Sequence, residues 1–120
     1  MKLTDFCVVL LAIGSASAWS QDKPMTGQEI QDQWAGRELV GNATTGARLF
    51  LRLEKDGTAT VAAGNLNDTG TWRTHDNGYC ATWVKIRAGE ERCFTVIKSG
   101  STYKVLNPDG SVSGIIHAVK

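Results

Sequence analysis

Residues 70–94 read GTWRTHDNGYCATWVKIRAGEERCF and decide the fold of this 120-residue chain. The stretch carries Cys80 and Cys93 on two predicted strands, and Ala88-Gly89-Glu90 supplies a turn between them. A hairpin register that sets the cysteines opposite each other leaves room for that turn. A disulfide there closes a loop of about 14 residues and stabilises the fold by about 3 kcal/mol. A metal pair is the alternative, but the C-x-x-C spacing and histidine pattern of such sites are missing. We therefore predict a Cys80–Cys93 disulfide.

The first 18 residues have the features of a secretory signal peptide. Lys2 provides the positive start, residues 6–13 form an apolar run, and Ala16-Ser17-Ala18 matches an A-x-A cleavage site. The apolar run is shorter than the roughly 20 residues that a membrane-spanning helix needs. We expect cleavage near Ala18, a periplasmic or secreted location, and no stable membrane insertion of the mature chain.

The mature chain, residues 19–120, has the length of one small domain. Cys7 falls in the cleaved segment, so a pair of cysteines remains, which is typical of exported disulfide proteins. The formal net charge of the chain is +1, without a cluster of either sign. This balance argues against nucleic acid or an anionic membrane as the main partner.

A short helix and about seven strands are predicted in the mature chain. At the helix start Thr26 and Glu29 can form a capping box, and Ile30 and Trp34 share an apolar face that must dock. After Gly36 the chain reads as strands joined by short turns. The predicted strands span 48–54, 58–62, 70–74, 79–86, 92–98, 102–106 and 112–119. The pattern predicts a mainly β fold, an antiparallel meander forming a small barrel or curled sheet, with the helix covering one end.

Catalytic side chains do not form a recognisable constellation. The two histidines are His75, beside a predicted turn, and His117, in the last strand. The aspartates are assigned mainly to turns: Asp56, Asp68, Asp76 and Asp109. We predict that the protein is not an enzyme and has no metal site and no cofactor. A hydrolase is a remaining alternative, and it requires His117 within hydrogen-bond reach of Ser113, Asp109 or another titratable group in a cleft.

Aromatic side chains are the stronger binding candidates. Trp72, Trp83 and Phe94 lie on consecutive predicted strands, with Arg73 and Arg92 beside them. Aromatic and arginine side chains together can line a pocket or a partner-binding face. Core packing is the alternative, because a barrel of this size needs large side chains to fill it. We predict that these five residues bind a protein or a small apolar ligand.

Six short motifs extend over nearly the whole mature chain. They are Thr26-Gly27-x-Glu29-Ile30, Asp56-Gly57-Thr58, Gly70-Thr71-Trp72, Tyr79-Cys80-x-x-Trp83, Arg92-Cys93-Phe94 and Asp109-Gly110. The set resembles a group of small secreted alphaproteobacterial proteins that share a domain of unknown function. The resemblance implies a periplasmic or secreted β-rich domain and brings no known catalytic residues.

In size, export and disulfide content the chain is also similar to bacterial inhibitors of secreted proteases. In those inhibitors a compact eight-stranded barrel follows an N-terminal segment, so the resemblance is one of architecture. It implies an alternative function, protease inhibition through the segment that would correspond to residues 19–25.

Overall fold

The structure is a computed structural model that describes residues 23–120. The predicted signal peptide and its cleavage site lie outside the described residues. Eight antiparallel strands form a closed barrel in which each strand pairs with its neighbours in sequence and the last pairs with the first. The strands are β1 (Glu38–Ala43), β2 (Arg48–Leu53), β3 (Thr58–Ala63), β4 (Leu66–His75), β5 (Gly78–Trp83), β6 (Arg92–Ser99), β7 (Thr102–Leu106) and β8 (Val112–Val119). The predicted fold class is confirmed.

The first strand, β1, is the one that the sequence pattern did not indicate, so the barrel has eight strands where about seven were predicted. Gly41 and Asn42 interrupt its apolar pattern, and both residue types are rare in strands. Gly41 has a specific role in closing the barrel, because a Cβ at this position would collide with the carbonyl oxygen of Ile115 on β8. The β1–β8 register shifts at the same point, between Val40 and Gly41.

Helix α1 (Gly27–Gln33) covers one end of the barrel. The predicted capping box is present: Thr26 Oγ1 accepts from the Glu29 N–H at 3.1 Å, and Glu29 Oε1 accepts from the Thr26 N–H at 2.9 Å. Ile30 and Trp34 are fully buried. The Trp34 ring centroid lies 5.4 Å from that of Tyr103 and 6.3 Å from that of Tyr79, so the helix docks through its apolar face onto an aromatic core. We name this the covered end.

The core fills the barrel from the covered end upward. Side chains alternate along each strand, so that Leu51 and Leu53 of β2 and Phe94 and Val96 of β6 point inward. The β1–β2, β3–β4, β5–β6 and β7–β8 connections gather at the opposite end, which we name the open end. No helix within residues 23–120 has the length and apolar composition required to cross a bilayer.

The disulfide forms as predicted, with Cys80 directly opposite Cys93 in the β5–β6 pair and an S–S distance of 2.02 Å. A ring nitrogen of His75 and the two sulfurs lie within 4.8 Å of one another. Because the sulfurs are bonded to each other, this group offers no thiolate to a metal. The disulfide fits a protein of an oxidising, extracellular environment.

Candidate functional site

A cavity of about 470 Å³ occupies the open end of the barrel. Its aliphatic wall consists of inward side chains of β2, β3, β7 and β8, which are Leu49, Leu51, Val61, Val105 and Ile116. Its aromatic wall is formed by Tyr79, Trp83 and Phe94 of β5 and β6. The volume falls within the range of about 300–1,000 Å³ typical of small-molecule sites. Eight-stranded barrels have interiors just wide enough either to be filled by side chains or to hold one small ligand.

The aromatic wall continues down to the covered end. The ring centroids of Phe94 and Tyr79 are 5.2 Å apart, and Tyr79 in turn packs against Trp34. Tyr79 is only 4% exposed, and burial raises the pKa of its phenol although the charge of Arg87 acts in the opposite direction. The phenol is therefore neutral at any physiological pH, and it adds no charge to the cavity lining.

Arg87 lies at the mouth of the cavity and, within residues 23–120, is the single charged side chain that lines it. Its guanidinium carbon is 5.7 Å from the centroid of the Phe94 ring, within the range of a cation–π contact. Its Nε is buried and has no hydrogen-bond partner among the described residues. Burial, and to a lesser degree the nearby charge of Arg92, lower the pKa of Arg87. A buried guanidinium N–H without a partner is an unusual cost and calls for an explanation.

The backbone that carries Arg87 is strained. In the turn Ile86–Gly89, Arg87 (φ 54°, ψ 33°) and Ala88 (φ 53°, ψ 34°) both adopt the left-handed conformation. This conformation costs about 1–2 kcal/mol for each residue with a side chain. Such strain persists only where surrounding contacts impose it, and it is concentrated at functional sites.

The carboxylate of Asp68 anchors the backbone at the start of this turn. Its carboxylate is 4% exposed and accepts hydrogen bonds from the backbone N–H groups of Lys85 (2.8 Å), Ile86 (2.9 Å) and Thr69 (2.8 Å). The prediction that Asp68 is a turn residue is wrong, because β4 begins at Leu66 and Asp68 lies within the strand. Burial alone would raise the pKa of Asp68, but the bonds from Ile86, Lys85 and Thr69 outweigh it and the pKa is lowered.

Replacing Asp68 with asparagine should loosen the turn and change the pH dependence of stability. A carboxyl with a lowered folded-state pKa stabilises the fold above its unfolded pKa of about 3.9, and this contribution is lost as the pH falls through the folded-state value. We expect Asp68→Asn to lower the melting temperature by about 5 °C or more at pH 7, since an amide cannot accept all three bonds. The difference from the wild type should shrink as the pH falls below 4.

Thermal unfolding between pH 2.5 and pH 7, together with amide hydrogen exchange, tests this prediction. Asp56→Asn is the matched control, because Asp56 accepts from Thr58 within the β2–β3 turn and an asparagine keeps that bond. Exchange of the Lys85 and Ile86 amides should accelerate in Asp68→Asn alone. Unchanged protection of these two amides would contradict the anchoring role of Asp68.

The five residues predicted to bind a ligand are separated by the structure. Trp83 and Phe94 line the cavity. Trp72 lies toward the covered end, where its indole N–H donates to the Glu54 carbonyl at 2.6 Å. Arg73 is exposed on the outer wall and makes a two-point ion pair with Glu91, at 2.9 and 3.1 Å.

Arg92, the fifth residue, is half-buried beside the β7–β8 connection. Together with Asn107, Pro108 and Asp109 it lines a shallow groove. It does not line the cavity, although its charge acts on Arg87. Sequence reasoning missed Arg87, which makes with Phe94 the kind of arginine–aromatic contact that was predicted for Arg73 or Arg92. The available signal was its position in a turn between two inward aromatics, Trp83 and Phe94.

The histidines lie on the outer surface. His117 is exposed, and its Nε2 is 3.0 Å from Oδ1 of Asn42 on the neighbouring strand. The hydrolase alternative requires a titratable partner in a cleft, whereas this partner is an amide on the barrel wall. His75 is exposed at the end of β4.

No protein-family model, curated protein or solved structure matches this chain at a significant level. The two sequence resemblances therefore stay predictions. The geometry of the open end carries the functional argument.

Proposed function

We propose that this protein is a non-enzymatic binding protein that holds a small apolar ligand in the open end of its barrel. The observation that carries the proposal is the cavity of about 470 Å³ with its aliphatic and aromatic walls. In the part of the chain that the structure describes, a helix covers one end of the closed barrel and the open end provides the entry route. Trp83 and Phe94 contribute the aromatic contacts.

Burial of the aromatics favours a small ligand over a protein partner. Trp72 is 8% exposed, and Trp83 and Phe94 are each 5% exposed. Protein interfaces rely on aromatic side chains that a partner can cover, and these three offer almost no outer surface. The side chains face the interior, where a small molecule can reach those that line the cavity.

Filling the cavity mouth should abolish binding. Ala63 lines the cavity, while Ala62, the next residue of β3, lies in a groove on the outer wall. We expect the neutral apolar fluorophore N-phenyl-1-naphthylamine to bind the wild type, and Ala63→Trp to weaken its binding at least about tenfold, because the indole occupies the ligand space. Ala62→Trp adds the same side chain outside the barrel and should leave the affinity unchanged.

Fluorescence titration of the three proteins measures these affinities, with circular dichroism confirming that each is folded. Absence of probe binding to the wild type would contradict the proposed function. Equal affinities of the two tryptophan variants would place the probe outside the barrel and contradict it as well.

The proposal includes export, with cleavage near Ala18 and a periplasmic or secreted location. The Cys80–Cys93 disulfide supports this, since such bonds persist in oxidising compartments. The denatured mass of the protein purified from periplasm tests it. A mass equal to residues 19–120 less two hydrogens is expected, and a mass that includes residues 1–18 would contradict it.

Inhibition of secreted proteases is a second candidate, favoured by the closed eight-stranded barrel. Residues 19–22 lie outside the described residues. The adjoining Pro24 forms a β-bridge with Ile97, and Met25 is 3% exposed. Deletion of residues 19–22 alone therefore spares the packed part of the segment. Loss of inhibition of a secreted bacterial protease at an unchanged melting temperature supports this candidate, and retained inhibition contradicts it.

A further inference from the structure

The cavity mouth carries positive charge. Among the described residues Arg87 is the single charged one that lines the cavity, and the nearby Arg92 adds a second positive charge that acts on it. The exposed Glu90 contributes an opposing charge, but the ion pairs among residues 23–120 are Arg52–Glu54 and Arg73–Glu91, and Arg87 belongs to neither. The guanidinium therefore faces the cavity without a carboxylate to neutralise it.

The hydrogen-bonding capacity of Arg87 is also unused. A guanidinium has five N–H donors in a planar fork that matches a carboxylate, and the Nε donor of Arg87 is buried without a partner among the described residues. The hydroxyl-bearing residues Thr44, Thr45 and Ser113 line the same mouth. Below these residues the described walls are aliphatic and aromatic and carry no charge, so the charge is confined to one end of the cavity.

The turn that carries Arg87 is held in place before any ligand binds. Asp68 fixes the backbone at Lys85 and Ile86, and the Cys80–Cys93 bond closes the chain segment that contains the turn. A cation that is already ordered loses little conformational entropy when it binds an anion. The left-handed backbone at Arg87 and Ala88 is therefore part of a preorganised turn that positions the guanidinium to bind an anion.

We propose that the ligand of this cavity is a single-chain amphiphile with a carboxylate headgroup, whose chain enters the barrel and whose carboxylate pairs with Arg87 at the mouth. The inference rests on the proposed function, because it names the ligand class of the same cavity. Arg87 is the specificity-determining residue, and Trp83 and Phe94 contact the chain.

Displacement of N-phenyl-1-naphthylamine by three ligands of equal chain length tests the headgroup. The ligands are decanoate and decylammonium, each used below its critical micelle concentration, and 1-decanol, used below its solubility limit, all at pH 7.5. A charge-assisted pair with Arg87 should make decanoate bind about 10- to 100-fold more tightly than decanol. Decylammonium should bind more weakly than decanol, because its charge has the same sign as that of Arg87.

Arg87→Met should abolish the preference for decanoate over decanol, measured as the ratio of the two affinities within the variant, because methionine is unbranched and apolar and carries no charge. Arg87→Lys should restore part of the preference. Arg87→Gly removes the guanidinium at a backbone conformation that glycine adopts freely, and therefore serves if the methionine variant does not fold. Arg48→Met is the matched control, because Arg48 lies on the outer wall over the Phe50 ring and its loss should change nothing.

The outcomes separate the two proposals. Fluorophore binding without a preference for decanoate over decanol overturns the carboxylate inference and leaves the proposed function standing. The same holds if Arg87→Met and Arg87→Gly keep the preference of the wild type. A wild type that binds neither the fluorophore nor decanoate overturns both.

Discussion

Replacing Trp34 with alanine should lower the free energy of unfolding by about 3–5 kcal/mol, the range measured for truncation of a buried aromatic. Trp34 is fully buried and packs between Tyr79 and Tyr103, so its removal leaves a large void at the covered end. The helix that carries it has seven residues and cannot persist in water without docking. Urea unfolding followed by circular dichroism measures the change.

Trp34→Phe is the informative control. The indole N–H of Trp34 is buried and has no hydrogen-bond partner among the described residues, so phenylalanine removes an unsatisfied donor along with part of the ring. Removing that donor offsets about 1–3 kcal/mol of the packing loss, and we expect a much smaller cost than for alanine. Val84→Ala, at a side chain 68% exposed, should be neutral. Equal midpoints for Trp34→Ala and the wild type would contradict the docking role of the helix.

The barrel could be predicted from local signals because most of its strands and turns carry them. Leu49, Leu51 and Leu53 occupy alternate positions and so mark β2, and Asp56-Gly57 marks the turn after it. The strand β1 carries no such signal. Gly41 is required there by the approach of β8, a strand more than 70 residues away in the chain, and a window of local sequence contains no information about that contact.

The candidate site was predictable in its apolar part and not in its polar part. Trp83 and Phe94 flank the hairpin turn with the spacing of inward positions, so their burial follows from strand alternation. Arg92 has the same parity as Phe94, but β6 begins at Arg92, which leaves its side chain at the rim.

Arg87 reaches the mouth through a left-handed backbone, and Asp68, on the neighbouring strand β4, anchors the residues just before it through the Lys85 and Ile86 N–H groups. Non-glycine residues rarely adopt positive φ, so no propensity predicts them there. Likewise, an aspartate beside asparagine and threonine is ordinarily assigned to a turn. Hydrogen bonds between Asp68 of β4 and this turn outweigh both local preferences.

Removing the Cys80–Cys93 disulfide should destabilise the fold by about 3 kcal/mol, because the bond restricts a loop closed by residues 13 apart in the unfolded chain. Small domains have net stabilities of about 5–15 kcal/mol, so the melting temperature should fall by more than about 10 °C. Cys80→Ala/Cys93→Ala is the preferred variant, since Cys80 is fully buried and serine would place a hydroxyl there.

The disulfide should affect ligand preference as well as stability. The segment that it closes contains Arg87, whereas the anchoring carboxylate of Asp68 lies outside that segment on β4. We expect the double variant, still folded at 15 °C, to lose part of the decanoate preference while its affinity for the neutral fluorophore changes little. Wild type reduced with dithiothreitol keeps both side chains and should behave in the same way. Coincident unfolding midpoints for the oxidised protein and the double variant would contradict the stabilising role, and a full decanoate preference in the variant would show that Asp68 alone holds Arg87 in position.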